Sequence, residues 1–138
     1  MNGISIEMSL LSTNQVLLRR GEMMQVISNL IANSMYAMSS GGTLSLSTED
    51  TEDMAGGVIL TVRDTGIGIS AEDIPRVFDA FFTTRSAIGT GIGLFVARQF
   101  VEGHGGRIEL KSSKKDSDRG TTVRIHLPLR NPSDAPSL

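Results

Sequence analysis

The sequence contains no cysteine, no tryptophan and a single tyrosine. Without thiols there is no disulfide, no thiolate-held metal and no cysteine nucleophile, which fits a reducing compartment. Net charge is nearly missing as well. The 13 Lys and Arg stand against 15 Asp and Glu, a formal charge of −2. A mildly acidic chain with no basic run and few aromatics is not built as a nucleic-acid surface. No apolar stretch approaches the roughly 20 residues needed to span a bilayer, and no secretory signal opens the chain. The expectation is a cytoplasmic domain that makes no direct membrane contact itself, whatever anchors the full-length protein. At 138 residues and 39% apolar content, there is material for one folded core and not two.

What the chain does have is glycine, 15 residues of it, concentrated in particular places. Asp64-Thr65-Gly66-Ile67-Gly68-Ile69 forms a first cluster and Gly89-Thr90-Gly91-Ile92-Gly93-Leu94 a second. Between them lies Phe78-Asp79-Ala80-Phe81-Phe82-Thr83-Thr84-Arg85, which holds three of the five phenylalanines. A carboxylate beside close-approaching backbone, an aromatic anchor and a glycine loop opening a helix suit a nucleotide, with the base at the first cluster and phosphates at the second.

The flanking pattern places these pieces. Residues 4–10 alternate as a short strand, and 15–19 read as a second. From Glu22 to about Met38 the period becomes helical, with Met23, Ile27, Leu30, Ile31, Ser34 and Met38 on one stripe, and Ser39-Ser40-Gly41-Gly42 ends it. Residues 43–48 and 58–63 are β-rich and read as a hairpin around loop 49–57. Ser70 is a plausible N-cap for a short helix over 71–78, which Pro75 keeps brief. A longer helix runs from about Gly93 to Glu102, with Leu94, Ala97, Phe100 and Val101 apolar. Residues 107–112 and 121–129 form the last hairpin. Residues 1–130 make one domain, and the proline-containing tail 131–138 is expected to be mobile. Strands and helices without strict alternation predict an α+β fold: a mostly antiparallel sheet with helices on one face.

Several side chains invite chemistry. Asn29 and Asn33 share a helix face beside the apolar stripe. Their amide oxygens are hard ligands suited to Mg²⁺, or they hydrogen-bond neighbouring loops. Asp64 meets glycines at the end of a β-rich run. Its carboxylate can accept from the 6-amino group of adenine, where guanine presents a carbonyl, or it closes an ordinary Asp-Thr-Gly turn. The three phenylalanines anchor the segment after them in the core, leaving Thr83 to Ile88 as a small lid. Arg85 in that lid either reaches a terminal phosphate or is simply solvated. Gly89, Gly91 and Gly93 let phosphate oxygens approach a helix N-terminus. No P-loop pattern exists. Gly66 to Ala71 fits a dinucleotide fingerprint, but the helix that follows is too short and its strand belongs to a hairpin. Val123, Ile125, Leu127 and Leu129 share a face, so His126 is expected on the solvent side, and His104 sits at a glycine turn. Neither histidine has a partner at ligand spacing.

Taken in order, these segments resemble the catalytic ATP-binding domain of sensor histidine kinases, within the superfamily that includes gyrase, a heat-shock chaperone and mismatch-repair ATPases. Gln25 to Asn33 resembles the family's N box, Asp64 to Gly68 its first glycine box, Phe78 to Arg85 its F box, Gly89 to Leu94 its second glycine box, and Gly120-Thr121-Thr122 its closing Gly-Thr element. The F box usually carries Lys where Arg85 stands. The resemblance covers about residues 4–129. It implies a Bergerat-type two-layer α/β sandwich, with a mixed, mostly antiparallel sheet covered on one face by helices. It implies ATP and Mg²⁺ as cofactors, Asn33 as the main Mg²⁺ ligand with Asn29 in support, and Asp64 on the adenine amino group. Gly66, Gly68, Ile69, Phe82, Thr83, Thr84, Gly89, Thr90, Gly91, Ile92, Gly93, Leu94 and Thr121 are the further ATP contacts it implies, with Asn29 and Arg85 in catalytic positions. In the gyrase and mismatch-repair branches a Glu four residues before the metal-binding Asn activates water. Asn29 holds that position here, and an amide is not a general base, so the resemblance implies phosphoryl transfer to histidine rather than hydrolysis. Neither His104 nor His126 has the context of a phosphoacceptor. The implied partners are a histidine-bearing dimerisation domain and a downstream response regulator. A hydrolytic ATPase, a non-catalytic nucleotide-sensing domain and a serine kinase of the same fold are the rival functions.

Overall fold

The computed structural model describes residues 3–52, 56–82 and 92–129. The expected tail, 131–138, lies outside them. Five strands form one mixed sheet: β1 (Ile4–Leu10), β2 (Gly42–Thr51), β3 (Gly57–Asp64), β4 (Arg107–Ser113) and β5 (Gly120–Pro128), in the order β1-β2-β3-β5-β4. Two helices, α1 (Arg20–Ala37) and α2 (Gly93–Gly103), pack on one face. β1 runs parallel to β2 because α1 carries the chain back between them, whereas β2–β3, β3–β5 and β4–β5 are antiparallel. The α+β expectation is met.

The core forms where the helix stripes meet the inner sheet face. α1 buries Met23, Val26, Leu30 and Ser34, spaced as one side of a helix. Ile27 and Ile31, expected on the stripe, flank it half-buried, and Val26 takes the central place with no exposure. α2 buries Ala97 and Val101 as expected, and the sheet supplies Leu44, Val62, Val123, Ile125 and Leu127. α2 ends in a Schellman motif: Gly106 N–H donates to Val101 O (3.0 Å) and Gly105 N–H to Glu102 O (2.9 Å), with Gly105 at φ +77°. The His104 side chain, 2% exposed, is a structural tie. Its Nδ1–H donates to Phe100 O (2.8 Å), and its Nε2 accepts the Arg19 N–H (2.9 Å), joining the end of α2 to the start of α1.

The strand expected at 15–19 does not form. Residues 11–19 are irregular, and the first four of them are held by β2. Leu11 N–H donates to Thr48 O (2.9 Å), and the Asp50 carboxylate accepts from Thr13 N–H (2.9 Å), Thr13 Oγ1 (2.6 Å) and Asn14 N–H (2.8 Å). The Asp50 side chain thus takes the Thr13 and Asn14 donors just before the expected strand. These bonds, the Thr13 hydroxyl first, hold the Asp50 carboxyl below the ordinary Asp range. A carboxyl with a depressed folded pKa stabilises the fold above its unfolded value and loses that effect as pH falls through the folded value. Asp50→Asn should therefore lower the thermal midpoint at neutral pH. The gap from the parent should close as pH drops below about 4. A gap independent of pH would refute this role.

The helix expected over 71–78 is also absent. Only a 3-10 turn, Ile74–Arg76, forms, because Pro75 has no N–H to continue a helical ladder. Ser70 accepts from Asp73 and Ile74 through its backbone carbonyl, with no side-chain cap recorded. His126, expected at the solvent side, is 3% exposed. It does point away from the helices, but β5 is an interior strand. Ile59 and Arg107 stand opposite it in register, and Glu109 Oε1 lies 3.0 Å from its Nε2. Side chains from both neighbouring strands cover the ring.

Candidate functional site

The chain changes direction at the C-terminal end of β3, and there a pocket opens between the second half of α1, the start of α2 and the sheet. Leu30, Ile69, Val77, Leu110 and Val123 supply apolar walls, and Asn33, Asp64 and Thr121 supply polar groups. A flat aromatic ligand with a few polar edges matches that lining.

Asp64 is the last residue of β3 and is 4% exposed. Its Oδ1 accepts from Gly66 N–H (2.9 Å) and from Thr121 N–H (3.3 Å), its register partner on β5. Among the described residues no bond is recorded to Oδ2, the oxygen left for a ligand in the pocket it lines. The following loop is clamped at both ends. Ile67 N–H donates to Ala37 O (3.0 Å) at the end of α1, and Ile69 N–H to Ser112 Oγ (2.8 Å) at the end of β4. Gly68 lines the pocket at φ +75°, and a Cβ there would collide with the Ser113 carbonyl. Gly66 sits against Ala37, outside the pocket wall.

The two asparagines of α1 part ways. Asn33 lines the pocket beside Ser34 and Ala37. Asn29 lines a second groove between the two helices, with Gln25, Val96 and Phe100. Its Oδ1 accepts from Gln25 Nε2 (2.7 Å) and its Nδ2 donates to Gly93 O (2.9 Å). Asn29 thereby fastens α1 to the first residue of α2. Asn33 offers one hard amide oxygen. Among the described residues no group of three or more His, Asp or Glu gathers as a metal cage. Mg²⁺ does not need one, since it keeps waters and phosphate oxygens in its shell. The donor set therefore fits Mg²⁺ carried in with a polyphosphate.

The phenylalanines depart from the expected buried anchor. Phe82 lines the pocket under the Arg76 guanidinium, 4.5 Å from its ring centre, and Phe78 is half-buried with Arg98 at 5.6 Å. Phe81 is 73% exposed, turned outward by a left-handed backbone at φ +68°. Such a conformation costs a bulky residue on the order of 1–3 kcal/mol. Gly93 and Leu94 line the pocket, and Ile92 lines the second groove. Thr83, Thr84, Arg85, Gly89, Thr90 and Gly91 lie outside the described residues. Ser112, at the edge of the site, was not singled out from sequence, nor were the lining residues Tyr36, Val77 and Leu110. Alternation along β4 puts Ser112 on the inner face after Ile108 and Leu110, a hydroxyl in an apolar register that could have marked it.

Residues 19–131 match the family described as histidine kinase-, DNA gyrase B- and HSP90-like ATPase. The sensor protein SrrB of Staphylococcus aureus is 38% identical over 109 residues, covering 75% of this chain and 18% of that protein. The chain thus spans about a fifth of the length of such relatives. A mycobacterial sensor histidine kinase, MprB, superposes with a TM-score of 0.76 at 27% identity, over 92% of this chain and 83% of that one. The catalytic domain of histidine kinase ThkA superposes with a TM-score of 0.74 at 28% identity, over 91% and 78%.

Proposed function

Because this chain belongs to the histidine kinase-, DNA gyrase B- and HSP90-like ATPase family, we propose that it binds Mg-ATP and presents the γ-phosphate to a histidine on a separate dimerisation domain. One observation carries the nucleotide reading: Asp64 is buried at the pocket end of β3 with Oδ1 held by two backbone N–H groups. A carboxylate fixed in this way, with Oδ2 left over, is a pre-oriented acceptor for the 6-amino group of adenine. Thr121 stands beside it, the apolar walls would take the faces of the base, and Asn33 would hold Mg²⁺. Mg²⁺, when bound, offsets phosphate charge. The second glycine box would bring backbone N–H groups to the phosphates, with Arg85 at the terminal one.

Transfer is favoured over hydrolysis by Asn29. Both ends of its amide are engaged, by Gln25 and by Gly93, and it cannot take a proton from water. Imidazole needs no such base. Its ring nitrogen attacks the γ-phosphorus, the bond from that phosphorus to the bridging oxygen breaks, and ADP leaves with the electron pair. The full-length protein would supply the acceptor histidine, and a response regulator would receive the phosphoryl group, all on the cytoplasmic side where ATP is available. Among the described residues no helix is long and apolar enough to cross a membrane.

Calorimetric titration of ATP and GTP with and without Mg²⁺ comes first, followed by incubation with γ-labelled ATP and a purified histidine-bearing dimerisation domain. Mg²⁺-dependent binding of ATP and label on the added domain are expected. Binding without transfer would leave a sensing module, and steady phosphate release would make the chain a hydrolase.

A further inference from the structure

Ser112 lies outside the pocket wall yet touches three groups that shape it. Ile69 N–H donates to its Oγ (2.8 Å), its hydroxyl reaches Gly120 O (3.0 Å), and Thr121 Oγ1 lies 2.7 Å away. A serine hydroxyl has one proton and two lone pairs. The Ile69 N–H takes one lone pair. Gly120 O can only accept, so the serine proton goes there. The contact with Thr121 is then made by the threonine proton pointing at the second lone pair of Ser112. All three contacts are satisfied at once in this arrangement. With the Ser112 proton turned to Thr121 instead, the close approach to Gly120 O would set two oxygens together without a proton.

We propose that Ser112 is a positioning residue that makes Thr121 an obligate acceptor, and so helps the pocket select a 6-amino base. The inference rests on the nucleotide reading above. With its proton committed to Ser112, Thr121 Oγ1 shows only lone pairs to the ligand. Asp64 Oδ2 beside it is an acceptor as well. This end of the pocket therefore asks the ligand for hydrogens, supplied directly or through one bridging water. An exocyclic amino group carries two.

The test compares affinities for ATP and for purine riboside triphosphate, which lacks the 6-amino group, in the parent, Ser112→Ala, Thr121→Ala and the double variant. In the parent, ATP should be preferred. Ser112→Ala frees the Thr121 hydroxyl to donate, and the preference should shrink by roughly 3- to 10-fold, the range of one neutral hydrogen bond. Against the Thr121→Ala background, Ser112→Ala should change the preference no further. Ser112→Thr, which keeps the hydroxyl, should retain the parental preference and covers the case in which the alanine variant folds poorly. An unchanged ratio in Ser112→Ala, even with both affinities reduced, would mean a merely structural serine and overturn the proposal. So would an equal loss in both backgrounds. If the parent itself fails to bind ATP, the nucleotide reading falls and this inference falls with it.

Discussion

Asp64→Asn is expected to weaken ATP binding by roughly ten- to a hundredfold, the value of a charge-assisted hydrogen bond. The change is nearly isosteric. If the amide oxygen takes the place of Oδ1, the bonds from Gly66 and Thr121 N–H survive, and so should the fold. What changes is the group facing the ligand: an acceptor becomes an NH₂ donor. Against adenine it sets donor against donor. Against the 6-oxo group of guanine it sets donor against acceptor, so the preference for ATP over GTP should narrow or reverse. Calorimetry with both nucleotides, beside urea denaturation of parent and variant, separates the two effects. Undiminished ATP affinity in a folded variant would remove adenine from Asp64.

Gly68→Ala should be strongly damaging for so small a substitution. At φ +75° an L-residue meets a local penalty of about 1–2 kcal/mol. The added methyl would also press on the Ser113 carbonyl and lie 3.2 Å from Lys114 N, both backbone atoms of the β4–β5 turn that cannot swing aside. Overpacking of this kind costs about 1–3 kcal/mol, so a total near 2–5 kcal/mol is expected, measured by chemical denaturation. The loop would have to lift, and Ile69 N–H would leave Ser112, so nucleotide affinity should drop as well. Gly103→Ala is the matched control. Nothing lies within 4 Å of a Cβ there, and its stability should not fall. Equal behaviour of the two variants would contradict this account of the loop.

Local pattern carried much of this structure and long-range pairing carried the rest. The shared face of 121–129 and the helical stripe from Met23 to Met38 are visible in sequence because burial repeats with the period of the element, and 58–63 is visible through its β-rich composition. Asp64 was legible as a candidate from its neighbouring glycines and Thr121 only through the family resemblance, and the register that sets them opposite one another follows from their strands. The misplaced elements depend on distant partners. Residues 11–14 are governed by Thr48 and Asp50, and His126 by Ile59 and Glu109 on adjacent strands. Asn29 looked like a twin of Asn33 because both share a helix face. What separates them is the Gly93 carbonyl, 64 residues away. No window of sequence contains that contact.

The tie made by His104 has a mechanical meaning. α1 and α2 run antiparallel and are fastened at two places, Asn29 to Gly93 and Arg19 to His104. The anchor points on α1 are roughly 15 Å apart at 1.5 Å per residue. A single fastening would act as a swivel; two at that separation also stop the helices from sliding past one another or splaying. The pair therefore moves as one beam, with Asn33 and the first turn of α2 keeping their mutual distance whether or not the pocket is filled. Metal and phosphate would meet a gauge set when the chain folded.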